Sequence, residues 1–266
     1  MIATDNVVSA IEENLLEAMK YFGRLPQAEV HDDPHMMWFI TGIPLPQFNG
    51  VVSTRLSTNR LNETIEETLA RFKSRGMPMK WWISPSTRPA NIGVSLEAHG
   101  MIYAGDSPGM AVDLTTINQE FPRPDNLSIA RVRSRQEIED FVRVLVEGYG
   151  APDFAGTAFV DFFSSLGLEE HLPVRHYIGS MDGIPVASCT MFLGTSAAGI
   201  YNVATIPKSR RQGIGTAMTM FPLLEARAMQ YRLAVLNSSE LGVGIYQRLG
   251  FKEYCRVSSY EWWCGQ

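Results

Sequence analysis

The sequence has little cysteine, no excess of basic residues and no long apolar run. Its three cysteines are Cys189, Cys255 and Cys264. An odd number at this spacing fits neither a disulfide framework nor a metal site, and reads as a cytoplasmic protein with reduced thiols. Lys and Arg number 23 against 28 Asp and Glu, a net charge of −5, so the basic surface that non-specific nucleic-acid binding needs is missing. No stretch approaches the roughly 20 apolar residues that cross a bilayer. The start, Met1 to Asn6, has neither the basic nor the apolar region of a secretory signal. Nucleic acid, membrane and metal are therefore not expected as partners. His31-Asp32-Asp33-Pro34-His35 groups metal-ligand residue types, but Pro34 breaks any helix and no further ligand cluster follows. It reads as a solvated loop.

What is present is ordinary globular composition, 45% hydrophobic and 19% charged over 266 residues. That is enough for two domains of about 120–140 residues each. Thr115 to Asn126, with Pro122, Pro124 and Asp125 and no apolar periodicity, reads as a linker. The division expected is 1–120 and 121–266. In the first part, residues 6–21 and 63–73 have helical apolar spacing, with Asn62 as N-cap of the second helix. Residues 36–41, 51–56, 79–84 and 110–114 read as strands, and 90–99 as a short helix. In the second part, strands are expected at 127–132, 175–181, 185–193, 199–205, 233–236 and 253–263. Helices are expected at 136–147, 160–166, 213–230 and 242–249. Asp182-Gly183 marks a hairpin, since both turn positions tolerate positive φ. Pro222 falls inside a helix, where it removes one ladder bond.

The stretch Val203-Ala204-Thr205-Ile206-Pro207-Lys208-Ser209-Arg210-Arg211-Gln212-Gly213-Ile214-Gly215-Thr216 carries the chemistry. A strand ends near Thr205, a basic loop follows, and two alternate glycines open a helix. Such a helix start presents successive N–H groups and a positive dipole end, which suits a pyrophosphate. Without G-K-[ST] it is no Walker loop. With Met218 where a third small residue belongs, it is no dinucleotide fingerprint.

Arg210-x-x-Gly213-x-Gly215 after the strand resembles motif A of the GNAT acetyltransferases. Tyr246-Gln247-Arg248-Leu249-Gly250-Phe251 is similar to the family's Y-x-x-L-G-F. The likeness runs from about Leu127 to the C-terminus. It implies an α/β (α+β) fold with a mixed, mostly antiparallel sheet flanked by helices, and acetyl-CoA as co-substrate. By the same likeness, backbone of Val203, Ala204 and Thr205 bonds the pantetheine arm. The amides from Arg211 through Gln212, Gly213, Ile214 and Gly215 to Thr216 cradle the pyrophosphate, with Arg210 and Arg211 adding charge. A strand amide near Val203 polarises the thioester, and Tyr246 protonates the departing thiolate. Ser239 stands where many members carry a CoA-contacting Asn. Gly199 stands where some place a glutamate base, so the base stays open among Glu147, Asp153, His176, Glu240 and water. The implied reaction is N-acetylation of a primary amine on a small molecule or peptide. The alternative is a non-catalytic acetyl-CoA-binding module.

The first half repeats the plan in eroded form. MKWWIS and then Ala90 to Met101 mirror the strand, helix and glycine exit, with Leu96 at the place of Tyr246. Thr58 to Asn62 joins strand to helix without glycine. This resembles tandem two-domain GNAT proteins with a degenerate first copy, as a monomer or homodimer. Trp38, Trp81, Trp82 and Cys189 read as core.

Overall fold

The computed structural model describes residues 3–118, 120–121, 123–152 and 155–264. Along the chain run α1 (Thr4–Tyr21), β1 (Glu29–Asp32), β2 (Met36–Ile40), β3 (Asn49–Thr54), α2 (Leu61–Ser74), β4 (Met79–Ile83), α3 (Ile92–Ala98) and β5 (Ile102–Asp113). Then come β6 (Leu127–Arg131), α4 (Arg135–Tyr149), α5 (Ala155–Ser165), β7 (Val174–Met181), β8 (Ile184–Leu193), β9 (Ala198–Thr205), α6 (Ile214–Ala228), β10 (Leu233–Asn237), α7 (Val243–Arg248) and β11 (Lys252–Trp262).

The chain forms two compact units that exchange their ends. Leu15–Gly109 joins Cys255–Gln266 in one, here the N-unit. Met1–Asn14 joins Met110–Tyr254 in the other, the C-unit. A division at residue 120 is therefore not where the units part. The exchange follows from pairing: Ser258 to Trp262 run antiparallel to β4, and Trp262 packs in the N-unit core with Trp81, Phe72 and Ile65. Such long-range pairing leaves no trace in local periodicity.

N-unit strands lie in the order β1-β2-β3-β4-β11, and C-unit strands in the order β10-β9-β8-β7-β6. Most neighbours are antiparallel; β3 with β4 and β9 with β10 are parallel. The C-unit core sets Ile214, Ala217, Met218 and Leu223 of α6 against Tyr177, Ala187, Cys189 and Ile200 of the strands. Glu225 fastens α6 to β7, taking an ion pair from Arg175 and a hydrogen bond from the Tyr177 hydroxyl at 2.9 Å.

Several elements differ from the sequence reading. β1 occupies part of the stretch read as a solvated loop: its backbone pairs with β2, and the His31 ring stacks on Trp38 at 5.5 Å. β5 begins at Ile102, not Met110. Gly105, Asp106 and Pro108 have poor strand propensity, yet Ser258 donates to Asp106 at 2.7 Å and Ser259 to the Gly105 carbonyl at 3.4 Å. Tertiary partners thus override propensity. Asn62 is not a cap, because α2 starts at Leu61 behind Arg60 without a side-chain cap bond. Gln119, Pro122 and Asp153 lie outside the described residues.

Candidate active site

The site grows from one irregularity in β9. Its register with β8 passes from Ser188↔Ala204 to Thr190↔Tyr201, leaving Asn202 and Val203 opposite Cys189 alone. Asn202 has φ 51°, a value Asn tolerates better than most residues. Such a bulge bends its strand. The Asn202 amide donates to the Thr190 hydroxyl at 3.1 Å, and its carbonyl accepts from Ser188 at 3.1 Å. Thr190 also meets His176 Nδ1 at 2.9 Å. β10 runs beside β9 only at Ala234↔Ala198 and Val235↔Gly199. Beyond Gly199, among the described residues, β9 has no register partner on β10, and Val203, Ala204 and Thr205 fall in the diverging part.

Gly199 is required by packing. A Cβ there would lie 1.9 Å from Asn14 Oδ1. Asn14, on α1 and 1% exposed, donates to the Ala197 carbonyl at 2.8 Å and accepts from the Tyr201 hydroxyl at 2.7 Å. The space beside Gly199 is thus filled by a neutral amide from another element.

After β9 the chain makes a 3-10 turn at Pro207–Ser209 and then enters α6. Arg211 and Gly213 have φ 62° and 80°. Gly213 is the N-cap residue and gives α6 no side-chain cap. By contrast, Ser134 and Glu137 close α4 with a reciprocal capping box. The first amides of any helix lack partners within it, so Ile214, Gly215 and Thr216 present donors at an end no side chain satisfies. Arg211 and Gln212 are exposed. The Arg210 guanidinium is committed elsewhere, donating to the Thr205 carbonyl at 3.0 Å and to the Gly148 carbonyl at 2.7 Å. Its work here is to fix the loop against the end of α4, where Gly148 leaves no room for a Cβ beside Ala204.

Tyr246 stands on α7, its ring edge-on to Phe251 at 5.8 Å and close against Gly242, where a Cβ would meet it at 2.8 Å. Burial pushes its phenol above the ordinary value, and the Cys189 and Tyr149 groups add repulsion against its ionised form. It therefore stays protonated. The Cys189 thiol, 0% exposed, is likewise held protonated by burial, which suits core rather than a nucleophile. The Tyr149 hydroxyl reaches the Val203 carbonyl at 3.4 Å. At the end of β10 the Asn237 amide Nδ2 is buried with no hydrogen-bond partner among the described residues. Ser239 is exposed, and its carbonyl receives the Gly242 and Val243 amides at 2.9 and 3.3 Å, starting α7. Of the possible bases, His176 is 1% exposed between the Phe141 and Phe163 rings. Burial, then the charge of Arg131, pushes its pKa down to about 3. It is closed off from any substrate. Glu147 and Glu240 are exposed.

Sequence reasoning missed Asn14, Tyr149, Asn202 and Asn237. Only Asn237 left a signal, as a polar residue ending the apolar strand Leu233-Ala234-Val235-Leu236.

Residues 194–254 match the family model of the acetyltransferase (GNAT) domain. No curated protein matches the chain in sequence. Among solved structures, a GCN5-related N-acetyltransferase from Kribbella flavida is similar at 16% identity and TM-score 0.70, over 94% of this chain and 95% of that one. A functionally unknown conserved protein from Staphylococcus epidermidis gives 14% identity and TM-score 0.67, over 88% and 94%. A tandem GNAT protein from the clavulanic acid biosynthesis pathway gives 14% identity and TM-score 0.61, over 100% and 98%. At these identities the structures speak for the fold. The match to the GNAT domain thus covers residues 194–254, and over nearly its whole length the chain shares the fold of these GNAT structures.

Proposed function

We propose that the C-unit is an acetyl-CoA-dependent N-acetyltransferase acting on a primary amine of a small molecule or peptide. The observation that carries this reading is the parting of β9 from β10 after Gly199, immediately before the uncapped, glycine-led start of α6. The residues present fit such a co-substrate. Backbone donors at Gly213 to Thr216 suit a pyrophosphate, the free edge at Val203 to Thr205 suits an amide-bearing arm, and the orphaned Asn237 amide offers one more donor.

In this mechanism the neutral amine attacks the thioester carbonyl. The amide near Val203, at the bulge, stabilises the oxyanion that forms. As the C–S bond breaks, Tyr246 gives its proton to the departing thiolate, the ammonium nitrogen loses one proton to solvent, and solvent returns one proton to Tyr246, leaving amide, free thiol and the restored phenol. A phenol kept protonated by burial is the right form for a general acid. The first half serves as a degenerate copy without a phosphate loop.

A second reading, a non-catalytic acetyl-CoA-binding module, is favoured by one observation: Asn14 fills the space at Gly199 where a base would sit. Thiol release from acetyl-CoA across a panel of primary amines separates the two. Release that depends on both substrates supports the enzyme; binding without release across the panel supports the module.

A further inference from the structure

The N-unit contains the same strand device as the C-unit, with a different outcome. The register of β3 with β2 passes from Met37↔Ser53 to Trp38↔Val51, a bulge at Val52. β3 pairs with β4 only at Gly50↔Lys80 and Val51↔Trp81, then leads through the turn Thr58–Arg60 into α2. Here, however, the chain itself occupies the freed edge. The Arg88 amide donates to the Thr54 carbonyl at 2.9 Å, and the Leu56 amide donates to the Arg88 carbonyl at 2.9 Å. The segment doing this supports itself: the Ser84 amide donates to the Thr87 hydroxyl and the Thr87 amide to the Ser84 carbonyl, each at 3.0 Å. Arg88 also donates to the Pro85 and Thr87 carbonyls at 2.8 and 2.7 Å. No extended arm can lie along β3 while Arg88 holds that edge.

Beside it opens a cleft of about 800 Å³, lined by Asp33, His35, Arg55, Arg60, Glu67 and Arg88, with Met36 and Leu56 as its apolar wall. This volume is in the range of small-ligand sites. Arg55 and Arg88 are backbone bridge partners on parallel segments, which brings both residues to the lining of the cleft. Arg60 lies 3.7 Å from Glu63. The Arg55 guanidinium has no hydrogen bond or ion pair among the described residues. Of the two lining carboxylates, Asp33 is already satisfied by the His35 and Met36 amides at 2.7 and 2.8 Å and by His31 at 2.9 Å. Asp33 keeps its charge, so both carboxylates oppose an anion, against three arginines in the lining.

We propose that this cleft binds a small phosphorylated ligand carrying a phosphomonoester or pyrophosphate group, and that it excludes coenzyme A. Planar guanidinium groups meet phosphate oxygens in pairs, and three around one cleft suit more than one negative charge. The filled edge of β3 limits the ligand to what the cleft itself holds. The lining residues all belong to the N-unit, and the proposal does not depend on the acetyl-CoA reading.

The test is calorimetric titration of inorganic pyrophosphate into the full chain and into Arg55→Ala, Glu67→Gln and Gly213→Val. Arg55→Ala removes an exposed, unpartnered side chain, so the fold is unaffected. It is expected to weaken binding about 10–100-fold. Glu67→Gln is expected to tighten binding, and Gly213→Val, which removes the C-unit loop as a second pyrophosphate site, to leave the Arg55-dependent component in place. Binding that survives Arg55→Ala but disappears in Gly213→Val would assign the anion to the C-unit loop and overturn the proposal. Absence of pyrophosphate binding to the full chain would overturn it as well.

Discussion

Replacing Tyr246 with Phe removes one oxygen and leaves the rest of α7 in place. The ring keeps its edge-on packing with Phe251 and its seat against Gly242, so stability should change by less than about 1 kcal/mol. Acetyl-CoA affinity should stay within about twofold, since the loop and strand edge that hold the co-substrate are untouched. Turnover should fall about 10²–10⁴-fold, the usual contribution of a positioned acid, which is roughly 3–5 kcal/mol of barrier. The pH profile adds a check. Burial raises the phenol above its ordinary value, so the group remains protonated through the alkaline range. No loss of wild-type activity below about pH 10 should trace to Tyr246. The assay is thiol release under saturating amine, run beside a binding titration of the same preparations. Equal turnover in wild type and variant would refute the acid role. A parallel loss of binding would show that the hydroxyl holds the co-substrate instead.

Gly213→Val places a β-branched residue at φ 80° at the start of α6. It should abolish acetyl-CoA binding while circular dichroism stays unchanged, and normal binding would remove the loop from the site. Gly199→Ala sets a Cβ 1.9 Å from Asn14 Oδ1 and should lower stability by about 1–3 kcal/mol in urea unfolding. No loss would mean that α1 yields freely there. His176 is held neutral, with a pKa of about 3 against the ordinary 6.5. Between those values the unfolded chain binds more protons, so stability falls as pH drops from about 6.5 towards 3, by roughly 2–5 kcal/mol. A His176→Asn variant should lose that share of the pH dependence in denaturation at pH 4 and pH 7; an unchanged slope would contradict it.

The parts of this fold legible in the sequence are those written in local pattern. The glycine-led entry to α6, the Tyr246-to-Phe251 exit and the hairpin at Asp182-Gly183 all lie on consecutive residues, and the elements around them fall close to where periodicity placed them. What stayed hidden depends on residues far apart in sequence. Nothing around Asn14 signals that its amide enters the head of β9, although Gly199 without a side chain is the other half of that packing. Arg210 looks like a free charge until the Gly148 carbonyl is brought beneath it. β5 reads as loop over Gly105 to Pro108 because its strand pairing comes from the far end of the chain. The first half's likeness to the second is faint in sequence because its helix start has no glycine, yet both copies keep a bulged strand and a two-pair parallel register.

The most direct test is calorimetric titration of acetyl-CoA into the full chain, with free CoA and NADH as comparisons. One equivalent per chain, bound at micromolar strength and matched by no NADH binding, is the expected result, because among the described residues the diverging edge of β9 is clear of its own backbone while that of β3 is filled. No binding of any CoA species would contradict the account, and two equivalents would contradict the closed state of the N-unit.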